Sequence, residues 1–528
     1  MIVGQTIPYS RKDGSFTSAE REGAMVAHHE LIRAALAADP VQGVHFFLSG
    51  TPDDQLPIAL LKSEFPTKII AVHRLATLMQ VCETHRHVFP VALESLPLLA
   101  AARLNPACGR FPVSGIVHSI SSHASTLFYL GLSLLGESYD RVVATSEAGR
   151  QAINVILEEF SELIARRMNC RARSRMPVVK IPFGVDETFL RPIEQGAARE
   201  QAGLPQHKAI LLYLGRITEE YKADLEPLLV ALQQLHEKHS NVLLVIAGSD
   251  KDGRYTYHLQ QLSAALGVHD HVLFKTNFPH ALKPWLYSSA DIFVSPVDNI
   301  QETFGLAVLE ASACGVPVVA SNWSGYRDLV LHGTTGFLVP TYWDSRFAAA
   351  LSDSAPLRNQ VKVTHELAQH TIVEVASLAK YLEVLLTTSE LRRSMGARAR
   401  ERVLHEFRWS QILSCYIAMW EEQWEELCSQ PRQAYTHLDL NEIYRHFASH
   451  ELSPEITLQG SRPAREMLHD RSPIRGAHMQ FHEIRSMCEK PQSLQQIEDQ
   501  PCGCQPGSVA FLWKKGFLQL SSGPASKD

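Results

Sequence analysis

Between residues 208 and 340, short apolar runs alternate with segments whose apolar positions recur at helical spacing. The runs at 210–214, 241–247, 271–275, 291–295 and 316–320 read as strands. Residues 225–238, 257–266, 280–289 and 305–314 read as helices. Asp224 is placed to cap the first of these helices, and Gly315 followed by Pro317 stops the last. Strands that are apolar along their whole length and separated by helices belong to a parallel sheet covered on both faces. The first part of the chain follows the same scheme. Strands are expected at 2–7, 44–48, 68–72, 113–118, 142–145 and 178–181, and helices at 18–38, 57–64, 75–83 and 147–165, the last capped by Ser146. The fold class is therefore α/β, with two Rossmann-like units joined near 182–192. Ligands of such sheets bind at the carboxyl ends of the strands, here in the cleft between the units.

Residues 374–428 read as wholly helical, most clearly at 397–427. Beyond Pro431 the chain is richer in His, Gln, Pro and Ser, and periodicity weakens until 509–520. There, Phe511 to Leu518 loosely resembles the end of a winged-helix unit. The expected division is 1–190 and 191–385 as the two α/β units, 386–430 as helices packing back across both, and 431–528 as an accessory extension. A docking or oligomerisation module is the reading of that extension, giving it contact with a protein or, peripherally, a membrane.

At 528 residues, with 45% hydrophobic and 20% charged residues, the chain has the composition of a globular protein of two or three domains. Its net charge of -6 argues against a broad nucleic-acid surface. No basic segment precedes an apolar one at the N-terminus, and the most apolar stretch, 115–136, is broken by two histidines and several serines. A cytoplasmic location without a spanning helix is expected. The nine cysteines are scattered and read as reduced thiols; Cys502-Gly503-Cys504 lacks the second pair that a zinc site needs.

The candidate chemistry lies in Glu302-Thr303-Phe304-Gly305-Leu306-Ala307-Val308-Leu309-Glu310, directly after a strand. If Thr303 caps the helix, the amides of Phe304, Gly305 and Leu306 are free at its N-terminus, a ready anion site. Gly305 then lets the backbone approach a phosphate. The flanking carboxylates suit sugar hydroxyls, which they bind as acceptors.

This run, continuing through Ala311 to Ser321 and on to Gly333-Thr334-Thr335-Gly336-Phe337-Leu338-Val339, resembles the donor-site signature of family 4 (group 1) glycosyltransferases. Three further segments agree in order: Leu214-Gly215-Arg216 with Lys222, Val142 to Ser146 with Arg150, and Lys180 to Asp186 with Phe189 and Pro192. The resemblance spans residues 110–425 and, before 110, holds in architecture. It implies a retaining GT-B enzyme, with two Rossmann-like domains facing a cleft, whose donor is a nucleotide-diphosphate sugar. By the same resemblance, Glu310 would bind the ribose and Glu302 the transferred sugar. Arg216 and Lys222, next to Gly215, would neutralise the departing diphosphate. His118 would stand across the cleft near the sugar. No metal or other cofactor is implied, since two cations serve the leaving group.

The family's Gly-rich loop after the first strand is replaced by Tyr9 to Phe16, where Arg11, Gly14 and Ser15 are the acceptor-side candidates. The step from Arg216 to Lys222 is one residue long for the family, and its glycine pair is represented by Ser324-Gly325. The acceptor is expected to be a sugar, a lipid-linked group or a small molecule, with no nucleic acid involved.

Each of these residues also has an ordinary reading. Glu302 and Glu310 can be helical carboxylates, Arg216 and Lys222 solvated loop cations, and His118 a strand-end histidine. Their joint spacing favours the site. Asp250-Lys251-Asp252 reads as a solvated turn, and the remaining histidines, His28-His29 and His85-Arg86-His87 among them, read as surface residues. The alternatives in function are a sugar-nucleotide-binding regulator and a GT-B epimerase or phosphorylase.

Overall fold

The computed structural model describes residues 1–6, 23–48, 58–105, 108–120, 125–169, 176–355 and 358–431, then 440–445, 455–460, 488, 490–499, 509 and 518–521. Two compact units are present, Met1–Thr436 and His437–Asp528.

The first unit holds two parallel sheets. One comprises β1 (Ile2–Gln5), β2 (Gly43–Leu48), β3 (Ile69–Arg74), β4 (His87–Ala92), β5 (Val113–Ile116), β6 (Arg141–Ala144) and β7 (Val178–Lys180). Their order is β3-β2-β1-β4-β5-β6-β7. The other comprises β8 (Ala209–Leu214), β9 (Val242–Gly248), β10 (Val272–Thr276), β11 (Ile292–Ser295), β12 (Val318–Ser321) and β13 (Gly336–Val339), ordered β10-β9-β8-β11-β12-β13. Every residue of β9, β11 and β12 is buried, as expected of strands covered on both faces. Strand order reverses between β1 and β4 and between β8 and β11. At such a point neighbouring loops part and leave a crevice at the carboxyl ends of the strands.

The expected two-sheet architecture holds, with several local corrections. Strand β4 was not foreseen, because Pro90 argues against a central strand. The structure accommodates it: pairing with β1 covers only His87 and Val88, and the Gln5 side chain donates to the Pro90 carbonyl at 2.8 Å. Strand β13 and the helices Leu96–Ala102 and Ser125–Leu135 were likewise missed. The helix expected from 225 begins at Glu226, with Leu225 rather than Asp224 as its N-cap, though Asp224 still accepts from the Glu226 amide at 2.9 Å. Two of the named histidines are not at the surface: His28 is 4% exposed and His87 fully buried. His87 Nε2 lies 3.0 Å from His45 Nδ1, so the rings satisfy one another across the sheet.

The helical stretch at 397–427 is two helices, Ser389–Glu406 and Trp409–Ser429, broken at Phe407-Arg408. The break is where the chain returns towards the first sheet. Val185, on the outgoing crossing, donates its amide to the Phe407 carbonyl at 2.9 Å and bridges Arg408. The returning helix is then fixed to the first sheet. The Gln423 amide donates to the Val113 and Tyr139 carbonyls at 3.2 and 2.9 Å, and Trp424 Nε1 donates to the His87 carbonyl at 3.1 Å.

The second unit contains an antiparallel sheet of β16 (Thr457–Gly460), β17 (Gln492–Ser493) and β18 (Leu518–Leu520), after a small pair in the first unit, β14 (Thr341–Trp343) with β15 (Thr371–Val373). Residues 511–517 of the winged-helix resemblance lie outside the described residues, as do Cys170, Cys502 and Cys504. The six described cysteines are thiols outside any disulfide, and no described helix is long and apolar enough to cross a membrane.

The close approach of β8 and β9 sets the floor of the crevice. A Cβ on Gly248 would stand 1.6 Å from the Gly215 carbonyl oxygen. Gly248→Ala is therefore expected to lower stability by about 1–3 kcal/mol, the usual range for overpacking, as read by urea unfolding.

Candidate active site

The loops after β8 and β11 open into a cavity of about 1280 Å³, more than a single small ligand requires. Its wall includes His118, Gly215, Arg216, Lys222 and Glu302, and also Phe304, Gly305, Leu306 and Glu310. The structure thus brings nine of the sequence candidates together. Arg11, Gly14 and Ser15 lie outside the described residues.

The two loops are tied to each other. The Asn299 amide donates to the Glu220 carbonyl at 3.0 Å, and the Asp224 amide to Asp298 Oδ1 at 3.3 Å. Arg216 Nη2 donates to the Tyr221 carbonyl at 3.1 Å, which folds the β8 loop back on itself. Within this frame Lys222 Nζ is paired with Glu302 Oε2.

The helix after β11 runs Leu306–Ala313 with Gly305 as its N-cap and no side-chain cap. Thr303 does not cap it. Its hydroxyl donates instead to the His118 carbonyl at 3.1 Å, joining the two sheet lobes across the crevice. Glu302 Oε1 accepts from the Phe304 amide at 3.3 Å, while the amides of Gly305, Leu306 and Ala307 have no acceptor among the described residues. Three free N–H groups on a helix start favour an anion. Gly305 is required chiefly by packing: its φ is 108°, and a Cβ would lie 2.4 Å from the buried Tyr326 ring. The Ser324-Gly325 pair behaves as a glycine pair would. Ser324 takes a φ of 45°, and a Cβ on Gly325 would lie 2.5 Å from Phe304 Cα.

Glu310 is 6% exposed and is held by two side chains that the sequence reading missed. Lys283 Nζ donates to Oε1 at 2.5 Å and the Tyr287 hydroxyl to Oε2 at 2.7 Å. Both come from the helix Lys283–Ser289, four residues apart and so on one face. That spacing was the available signal. The Tyr287 hydroxyl is held far above the usual tyrosine range by burial and by Glu310, so it stays a donor.

His118 stacks on Phe183 at 5.5 Å between ring centroids and leans on His28 at 4.7 Å. Neither His118 ring nitrogen has a hydrogen-bond partner among the described residues, and burial pushes its pKa down to about 4. The ring is therefore neutral at ordinary pH and offers one N–H and one lone pair. Asp250 and Asp252 are turn groups. Asp250 accepts from the Gly253 amide and the Thr256 hydroxyl at 2.8 and 2.5 Å, and Asp252 accepts from Arg254.

Residues 194–360 match the family described as glycosyl transferases group 1. The match takes in less than half of the chain. The glycosyl transferases group 1 segment holds β8 to β13 and, with them, Arg216, Lys222, Lys283, Glu302 and Glu310. The D-inositol 3-phosphate glycosyltransferase of Thermobispora bispora is 34% identical over 175 residues, 32% of this chain and 40% of that one. D-inositol 3-phosphate glycosyltransferase 2 of Catenulispora acidiphila is 37% identical over 223 residues, 41% of this chain and 48% of that one. The chain thus spans less than half the length of these two relatives. Among solved structures, the sucrose-phosphate synthase of Thermosynechococcus elongatus aligns over 80% of this chain and 99% of its own, with a TM-score of 0.53 and 20% identity. Anabaena HepE, solved with UDP, aligns over 81% and 100%, with a TM-score of 0.54 and 19% identity. These likenesses establish the GT-B fold.

Lys283→Met would leave the Glu310 carboxylate buried with one neutral donor. Breaking one side of a buried ion pair costs roughly 3–5 kcal/mol. Urea unfolding should show a loss of that order for Lys283→Met, and a smaller one for the double variant Lys283→Met/Glu310→Gln.

Proposed function

We propose that the chain is a retaining glycosyltransferase that moves a sugar from a nucleotide-diphosphate donor to a hydroxyl of a glycan, lipid or small-molecule acceptor. One observation carries this reading: bare helix amides, Arg216 and Lys222 converge at a strand-order reversal, bracketed by Glu302 and Glu310. The amides and cations suit a diphosphate, and the two acids suit hydroxyls on either side of it. The names of the two inositol-phosphate relatives also describe sugar transfer.

In this reading Glu310 holds the ribose hydroxyls, oriented by Lys283 and Tyr287. The diphosphate enters beside Gly215 and against the helix start, and displaces Lys222 from Glu302. Glu302 is then free to accept hydrogen bonds from the transferred sugar. The bond between the anomeric carbon and the diphosphate oxygen breaks first. The acceptor oxygen attaches from the same face, and its proton passes to the departing phosphate oxygen. Arg216, Lys222 and the helix amides meet the charge as it develops, so their work is electrostatic. His118, neutral, faces the sugar from the other lobe. The first lobe is the acceptor side, residues 386–430 lock the two lobes together, and 431–528 are accessory. A cytoplasmic setting belongs to the same reading, as does an acceptor presented at a membrane or by a partner protein.

A thermal-shift screen over UDP-, GDP- and ADP-sugars tests it, because a ligand at a hundred times its Kd adds about 2.7 kcal/mol to the native state. One donor class should raise the melting temperature, and Glu310→Ala should abolish that rise. An unchanged rise in Glu310→Ala counts against the assignment. Arg216→Ala should lower kcat on the order of a hundredfold or more, the usual loss of one charge-stabilising group. Turnover should survive EDTA. Donor binding without transfer to any acceptor would favour a regulator instead.

A further inference from the structure

The segment that carries Lys222 is gripped by two neighbouring side chains of the opposite loop, Asp298 and Asn299. Asn299 Nδ2 donates to the Glu220 carbonyl at 3.0 Å, and the Asp224 amide donates to Asp298 Oδ1 at 3.3 Å. Glu220 and Asp224 stand two residues before and two after Lys222. The lysine backbone is therefore held on both sides. Asp224 is itself fixed, accepting from the Glu226 amide at 2.9 Å and from the Tyr255 hydroxyl at 3.2 Å.

Asn299 also builds the turn that presents Glu302. Its Oδ1 accepts from the Gln301 amide at 3.0 Å, and its carbonyl accepts from the Glu302 amide at 3.1 Å. The same carbonyl takes the Trp323 indole N–H at 3.1 Å. One side chain thus commits its acceptor to the Glu302 loop and its donor to the Lys222 loop. Asparagine fits because it carries both groups on a short stem; an ionised aspartate lacks the donor, and serine lacks the reach. Asn299 is fully buried and does not line the cavity. Whatever it does for a ligand must pass through the residues it holds.

From its clamped backbone the Lys222 stem crosses Gly215, where a Cβ would lie 3.2 Å from Lys222 Cε, and Nζ meets Glu302 Oε2. A lysine is a point charge on a flexible stem, so its place depends on where its backbone starts. We propose that Asn299 is a positioning residue that sets Lys222 against Glu302 and so aims the cation at the departing diphosphate. The second half of this rests on the reading of the cavity as a nucleotide-sugar site.

Two measurements on the full chain keep the halves apart. Without ligand, urea unfolding of Lys222→Met, Glu302→Gln and the double variant gives the coupling between the two side chains as a departure from additivity. The coupling should be present in the wild-type background and lost in Asn299→Ala and Asn299→Ser. The serine keeps a weaker acceptor for the Gln301 amide and cannot reach Glu220. Trp323→Phe removes a hydrogen bond to the same residue but spares the clamp, so it should keep the coupling. Coupling that survives both Asn299 variants, or that Trp323→Phe abolishes equally, overturns the proposal.

With UDP-glucose as probe, UDP release is followed for wild type and Asn299→Ser, each with and without Lys222→Met. For Asn299→Ser kcat should fall by up to about a hundredfold, the loss expected when a reacting group is displaced by about an ångström, with KM changed less than about twofold. In the Lys222→Met background the same substitution should cost less than about twofold, since no cation is left to aim. Equal losses in the two backgrounds overturn the catalytic link. Lost coupling with no UDP-glucose turnover by the wild type sustains the clamp and counts against the nucleotide-sugar reading.

Discussion

The pocket tolerates two carboxylates beside an electropositive helix start because each is neutralised by a lysine from a different element. Lys222 reaches Glu302 from the loop after β8, and Lys283 reaches Glu310 from the helix before β11. An unpaired buried carboxylate costs several kcal/mol or takes up a proton. Both pairs therefore draw separate strands and helices to one point, and the crevice between β8 and β11 is defined by them. The pairs differ in depth. Glu310 keeps two partners and is nearly buried, a fixed feature of the wall. Glu302 has a single lysine and the Phe304 amide, and is held less firmly.

The two lobes are held by connections that lie on either side of that point. On the pocket side the Thr303 hydroxyl takes the His118 carbonyl, and the Glu147 amide meets Asp328 Oδ2 at 2.6 Å. On the far side Trp409 Nε1 donates to Glu30 and the Val185 amide to the Phe407 carbonyl, where the returning helix begins. Contacts of the first kind are single hydrogen bonds near solvent, each worth on the order of 1 kcal/mol. The returning helix is instead anchored by buried groups such as Gln423, which accepts from Ser114 at 2.9 Å while donating to two carbonyls. The lobes are therefore joined by single hydrogen bonds at the mouth of the crevice and by buried groups at the back.

The second sheet's side of the crevice was legible in the sequence because its pattern is local. A strand, a short loop and a helix start place Glu302, Gly305 and Glu310 at fixed spacing, and parallel strands buried on both faces announce themselves as continuous apolar runs. What escaped had non-local causes. Strand β4 was hidden by Pro90, whose missing N–H matters only when the neighbouring register is known. Thr303 looked like a cap because Thr before a helix usually is one; its partner, the His118 carbonyl, lies 185 residues away. Lys283 and Tyr287 carried the right spacing but belong to a helix with no motif of its own. His28 and His87 read as surface groups because histidine is ambivalent, and their burial depends on strands and helices brought together by the fold.

The contrast between Gly305 and Thr303 bears on how such a site keeps its shape. Gly305 suits the close approach of a phosphate, yet its φ and the Tyr326 ring already exclude any side chain. Tyr326 in turn shares a hydrogen bond with Ser295 at the end of β11, 2.8 Å between hydroxyls. The helix start is thus locked to the sheet before any ligand arrives, and Thr303 is released from capping to reach across to the other lobe. Preorganised amides need no rearrangement when charge develops, which is the condition under which they are most effective. A site built this way separates its tasks. The second sheet and its helix fix the bare amides in place, and the Thr303 hydroxyl and the Asp328 carboxylate are left to reach the first lobe.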